Sequence, residues 1–114
     1  MLQAEMSKRA RVETGSNAAS AQRRPTTPGQ ILHHEFLRPR GITQKQLADH
    51  VGCDVKVINR LVNGRTSLTA EMALRLGAAF STTPEFWLNA QKAVDLYRAA
   101  KQVRKLPKPL PLAS

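Results

Sequence analysis

Thr43-Gln44-Lys45-Gln46-Leu47-Ala48-Asp49-His50-Val51-Gly52-Cys53-Asp54-Val55-Lys56-Val57-Ile58-Asn59-Arg60-Leu61-Val62-Asn63-Gly64 holds two short amphipathic periods separated by one glycine. Thr43 with Gln46 three residues on has the form of a capping box, which predicts a helix over residues 43–51 with Leu47, Ala48 and Val51 turned inward. Gly52 supplies the turn, and Cys53 is a small buried filler. Asp54 caps a second helix, Val55–Val62, by accepting backbone N–H bonds. Ile58, Leu61 and Val62, at i, i+3 and i+4, form its buried stripe. Asn63-Gly64 tolerates the left-handed backbone that ends a helix.

Two short helices joined so tightly predict a helix-turn-helix. In that motif the first helix crosses a phosphate backbone and the second presents its N-terminal residues to base edges in the major groove. Thr43, Gln44 and Lys45 stand where a helix N-terminus favours phosphate, and Asn63, Arg65 and Thr66 can bond phosphate past the second helix. Val55, Lys56, Asn59 and Arg60 lie off the buried stripe. Arg60 matches guanine O6 and N7, Asn59 matches adenine N6 and N7, Val55 can cover a thymine methyl, and Lys56 suits base or phosphate. For the charges alone, an ordinary solvated helix face is an equally good reading.

Outward from the motif, a first helix is predicted from near Pro28 toward Arg38, with Ile31, Leu32 and Phe36 on one face beside Glu35 and Leu37, and with Pro39 and Gly41 ending it. A fourth follows the cap Thr69, with Glu71 in its first turn and Met72, Leu74, Leu76, Ala79 and Phe80 as its apolar positions. A fifth opens on Thr83-Pro84-Glu85 and runs to about Gln102. Trp87, Leu88, Val94 and Tyr97 make that helix apolar over more than one face, a surplus that predicts a homodimer interface. Residues 1–24 read as a flexible basic arm, 25–102 as the folded domain, and 103–114, with three alternate prolines, as an extended tail.

The chain has 114 residues and a formal net charge of +10, which favours a polyanionic partner, nucleic acid ahead of membrane. Much of the surplus sits at the ends: +3 over residues 1–24, +3 over 25–98 and +4 over 99–114. With one cysteine there is no internal disulfide, and no Cys and His set has zinc-ligand spacing. No apolar run approaches the ~20 residues of a membrane span, so a cytoplasmic protein is expected. His33, His34 and His50 read as surface residues, because adjacent histidines point to different helix faces and His-Glu-x-x-His is absent. Neither paired carboxylates, nor a nucleophile with its base, nor a phosphate-binding glycine loop can be assembled, so neither an enzyme nor a cofactor or metal is expected.

From Pro25 to about Arg98 the chain resembles the XRE-type helix-turn-helix proteins, and more closely the HigA (VapI-like) antitoxins of type II toxin–antitoxin systems. The resemblance is carried by Pro-Thr-Thr-Pro-Gly at 25–29, Thr43-Gln44 with Leu47-Ala48, Arg60-Leu61-Val62-Asn63-Gly64-Arg65, Glu71-Met72-Ala73-Leu74-Arg75-Leu76 and Thr83-Pro84-Glu85-Phe86-Trp87-Leu88-Asn89. Asp54 stands where the family more often has Ser, and Val55 where it often has a polar reader such as Gln or Arg. The resemblance implies an all-α, five-helix XRE/lambda-repressor-like domain and a homodimer. It also implies repression of the protein's own operon through double-stranded operator DNA, and neutralisation of a HigB-type ribonuclease toxin. Such a toxin is basic, so Glu35, Glu71 and Glu85 are its expected contacts. A bacterial protein, nucleoid-associated when DNA-bound, follows. A free-standing XRE-type repressor without a toxin, and a purely protein-binding inhibitor, remain the other readings.

Overall fold

The first helix begins at Pro28, as expected, with Thr27 as its cap: the Thr27 hydroxyl accepts from Gln30 N at 3.1 Å while Gln30 Oε1 accepts from Thr27 N at 2.9 Å. Proline follows at the first helical position, where its missing N–H is no loss. The structure, a computed structural model, describes residues 23–112, so the arm expected over 1–24 lies outside the described residues except for Arg23 and Arg24. Three contiguous helical segments, Pro28–Ile31, Leu32–Leu37 and Arg38–Arg40, together form α1. The middle segment is π-helical, with Arg38 N–H donating to His33 O.

The expectation that Pro39 ends this helix is therefore corrected. Proline removes an N–H and crowds the carbonyl four residues back. Here the preceding π turn widens the backbone, and the exposed positions of His34 and Glu35 leave the bypassed carbonyls open to water. Gly41, at φ 65°, closes the helix in the left-handed conformation. The His33 and His34 rings meet edge to face, with centroids 4.8 Å apart.

The remaining helices are α2 (Gln44–Val51), α3 (Val55–Val62), α4 (Ala70–Phe80) and α5 (Pro84–Gln102), with no strand among the described residues. Thr43, Asp54, Thr69 and Thr83 cap them, each side chain accepting a backbone N–H in the first turn. Leu32, Leu37, Leu47, Ala48, Ile58, Leu61, Leu68, Ala73, Leu76 and Trp87 form one buried cluster drawn from all five helices and the α3–α4 loop. Leu74, expected among the apolar positions of α4, is 61% exposed because Ala73, Leu76 and Gly77 occupy the inward face. Residues 103–112 carry no regular structure and are exposed. No helix among the described residues is long and apolar enough to cross a membrane.

Two glycines set how closely the helices approach. A Cβ on Gly29 of α1 would lie 1.8 Å from the carbonyl oxygen of Leu61 in α3, and one on Gly77 of α4 would lie 2.8 Å from Thr82 O. The first contact seats the Val55–Val62 helix directly on α1. The loop before α4 is held from the opposite side: Gln91, buried in α5, accepts from Leu68 N at 2.8 Å and donates to Asp95 Oδ1 at 2.9 Å.

Candidate nucleic-acid interface

The capping box at Thr43 and the Asp54 cap fix where the two motif helices begin, and Gly52, at φ 80°, turns the chain between them. Gly52 N and Cys53 N both donate to Ala48 O at 2.9 Å, and these backbone bonds close the turn. A side chain invisible to pattern reading locks it further. Arg75, reaching from α4, donates to Val51 O and, at 3.2 Å, to Gly52 O, while Glu71 one turn earlier pairs with its guanidinium. Arg→Lys keeps the charge but loses the planar fork that bonds both carbonyls. Arg75→Ala is expected to lower stability by about 1–2 kcal/mol, with Arg75→Lys restoring under half of it, as thermal melts will report.

On the outer face of α3, Lys56 and Arg60 stand one turn apart, both exposed and neither paired with a carboxylate among the described residues. The stripe beneath them is buried at Ile58 and Leu61 and half-buried at Val62. Val55 is half-buried against the core, so only part of it is presented. Asn59 is turned toward α2: its Nδ2 donates to Gln44 Oε1 at 3.1 Å, and Asn63 Nδ2 donates to Asn59 O at 2.9 Å and Asn59 Oδ1 at 3.3 Å. An amide ladder Asn63–Asn59–Gln44 thus spans the motif and fixes the angle between its helices.

Lys45 is exposed but pairs with Asp49 at 2.8 Å, and that bond raises its pKa, so its charge is shared with a neighbouring carboxylate. Arg65 and Thr66 are exposed just past α3, where Arg65 N donates to Arg60 O at 2.8 Å and Gly64 takes φ 70°. Cys53 is half-buried against the core, and burial pushes its thiol pKa up, away from the thiolate a nucleophile needs.

Two sequence expectations change. Trp87 is fully buried and Val94 only 4% exposed, so neither is a surface residue of α5; the folded chain's own core holds them. Leu88 and Tyr97 stay half-exposed, while Phe86, Asn89, Ala93, Leu96 and Ala100 form the exposed row that recurs every three or four residues. Glu71 pairs with Arg75 yet stays exposed, as do Glu35 and Glu85, which lie near the Phe36–Phe86 ring contact, with centroids 6.1 Å apart.

The helix-turn-helix family (HTH_3) matches residues 34–87, from within α1 to the first turn of α5. Antitoxin HigA-1 of Vibrio cholerae is 46% identical over 92 residues, which are 78% of this chain and 87% of that protein. The uncharacterized HTH-type transcriptional regulator YbaQ of Escherichia coli K12 is 43% identical over 84 residues, 74% of each chain. Among solved structures, Pseudomonas aeruginosa antitoxin HigA with the higBA promoter superposes with a TM-score of 0.72 at 35% identity, covering 77% of this chain and all of that one. With 46% of the aligned residues identical to an antitoxin over most of both chains, and the same fold as an antitoxin solved with its promoter, the protein belongs to the HigA antitoxin family of XRE-type helix-turn-helix proteins and is a DNA-binding antitoxin rather than an enzyme.

Proposed function

We propose that this chain binds the operator of its own operon as a homodimer, represses that operon, and neutralises a HigB-like ribonuclease toxin in the bacterial cytoplasm. The carrying observation is the pair Lys56 and Arg60, exposed on α3 without carboxylate partners among the described residues. They are the base readers. Val55 offers its exposed edge to a thymine methyl, and Asn59 reaches a base by exchanging its bond to Gln44. Thr43, Gln44, Lys45, Asn63, Arg65 and Thr66 hold phosphate on either side.

The dimer forms through α5, with Leu88 and Tyr97 beside the exposed row that contains Phe86 and Leu96. Two-fold symmetry then sets the recognition helices about 34 Å apart, one DNA turn. Toxin is held away from α3, whose cations repel a basic partner. Glu35, Glu71 and Glu85 are the carboxylates offered to it.

One co-expression experiment tests both halves of the function. Arg60→Ala is expected to weaken operator binding by about 1–3 kcal/mol, relax preference at one base pair, and derepress a promoter fusion, while still rescuing growth from the neighbouring toxin. Unchanged operator affinity and base preference would remove α3 from the major groove. The similarity to a regulator of the YbaQ kind supports a free-standing repressor as the second reading. The lack of any toxin reading frame beside this one would favour it.

A further inference from the structure

Arg24, Arg98 and Lys101 converge on a groove of 580 Å³ between the start of α1, the end of α3 and the C-terminal half of α5. No carboxylate lines it. Tyr97 sits among the three cations, with Lys101 Nζ 5.0 Å from its ring centroid. Lys101 above all, and Arg24 after it, pull the phenol's pKa below its ordinary value. Asn63 and Gly64 form a wall of the groove, so it begins where the recognition helix ends.

We propose that this groove clamps phosphodiester oxygens of the DNA duplex, making a backbone contact by Arg24, Arg98 and Lys101 that is separate from the phosphate contacts of α2 and α3. The inference rests on the operator-binding reading above. Two guanidinium forks and an ammonium are donors matched to an oxyanion with several free lone pairs. Three cations held this close repel one another, and an anion between them removes that repulsion. Other occupants fit less well. The chain's own first 24 residues carry five basic and two acidic side chains and would add to the positive field. A small neutral ligand would leave the cations uncompensated. Downstream of Lys101 the chain adds Arg104, Lys105 and Lys108 with no acidic residue, extending the positive track from the groove's edge.

The test uses the full chain, a duplex covering the region upstream of its reading frame, and fluorescence anisotropy across a series of potassium chloride concentrations. Arg98 and Lys101 are both exposed on α5, so the double variant Arg98→Ala/Lys101→Ala leaves the core intact. Each lost phosphate contact flattens the salt dependence by about 0.9 in the log–log slope, so the double variant is expected to lose nearly 2, with base preference and the mass by light scattering unchanged. Arg60→Ala in the same assay loses base preference instead. Binding with the wild-type slope overturns the groove contact alone. A slope loss accompanied by a change in mass also overturns it, assigning the cations to assembly with another protein chain. Absence of DNA binding by the wild-type chain overturns this proposal together with the reading it rests on, while a flattened slope at constant mass establishes it.

Discussion

Gly29→Ala will destabilise the domain far beyond what one methyl suggests. Its Cβ would stand 1.8 Å from Leu61 O, 2.7 Å from Leu61 C and 2.8 Å from Val62 Cα, and all three are backbone atoms of α3. No rotamer change relieves a clash with backbone, so α1 and α3 must separate. Overpacking ordinarily costs about 1–3 kcal/mol, and a clash with rigid helix backbone belongs at or above the upper end. For a domain of this size ~3 kcal/mol corresponds to a fall in Tm of roughly 12–24 °C. Gly41→Ala is the control: nothing lies within 4 Å of its added Cβ, only the left-handed φ of 65° is unfavourable, and the expected cost is about 1 kcal/mol. Because the helix displaced by Gly29→Ala carries Lys56 and Arg60, operator affinity should fall even at temperatures where the variant is folded. Equal Tm values for the two alanine variants would show that the α1–α3 contact gives way freely.

Trp87→Ala has an expected cost of similar size from a different source. The indole is fully buried, its ring centroid lies 5.0 Å from that of Phe36 and 5.1 Å from that of Phe86, and Nε1 donates to Thr82 Oγ1 at 2.8 Å. Removing it opens the largest cavity a single substitution can make in this core and strips the Thr82 hydroxyl of its donor, for about 3–5 kcal/mol. Trp87→Phe keeps most of the ring packing and loses the hydrogen bond, so its cost should be nearer 1–2 kcal/mol. Chemical denaturation of the three proteins gives the order directly. If Trp87→Ala instead folds with near wild-type stability and merely becomes monomeric, the indole belongs to an interface between chains.

That contrast shows where sequence reading stopped. Four of the five helices were legible almost to the residue, because Thr43, Asp54, Thr69 and Thr83 announce their starts and a caps-plus-stripe pattern is local. The outward position of Lys56 and Arg60 followed from the same periodicity. What could not be read was which apolar face of α5 the rest of the chain would cover. Trp87 and Phe86 are adjacent in sequence, and only the packing of α1 and α4 against α5 decides that the first is buried and the second 42% exposed. Arg75, Gln91 and the Asn63–Asn59–Gln44 ladder were missed for a related reason: each acts across 15 to 24 residues of chain, or depends on a partner that does. The alternation of polar residues gives no sign of such pairing. Thr27 with Gln30 is a local signal of the same kind, the capping box that also opens the helix at Thr43 and Gln46.

The π turn in α1 has a meaning for how this sequence can change. Leu32 and Leu37 are both buried, yet residues five apart on an α-helix point about 140° away from each other. Closing the backbone ring at the fifth residue brings them to one side. The turn is thus an α-helix carrying one surplus residue, and Pro39 lies just downstream where the widened carbonyls accept it. Deleting His34 alone would return Leu32 and Leu37 to an i, i+4 pair but would press the proline ring against a regular helical carbonyl. Replacing Pro39 alone would leave a bulge with nothing to accommodate. Insertion and proline are an epistatic pair: along any line of descent each is tolerated chiefly in the presence of the other, and relatives that lack one are expected to lack both.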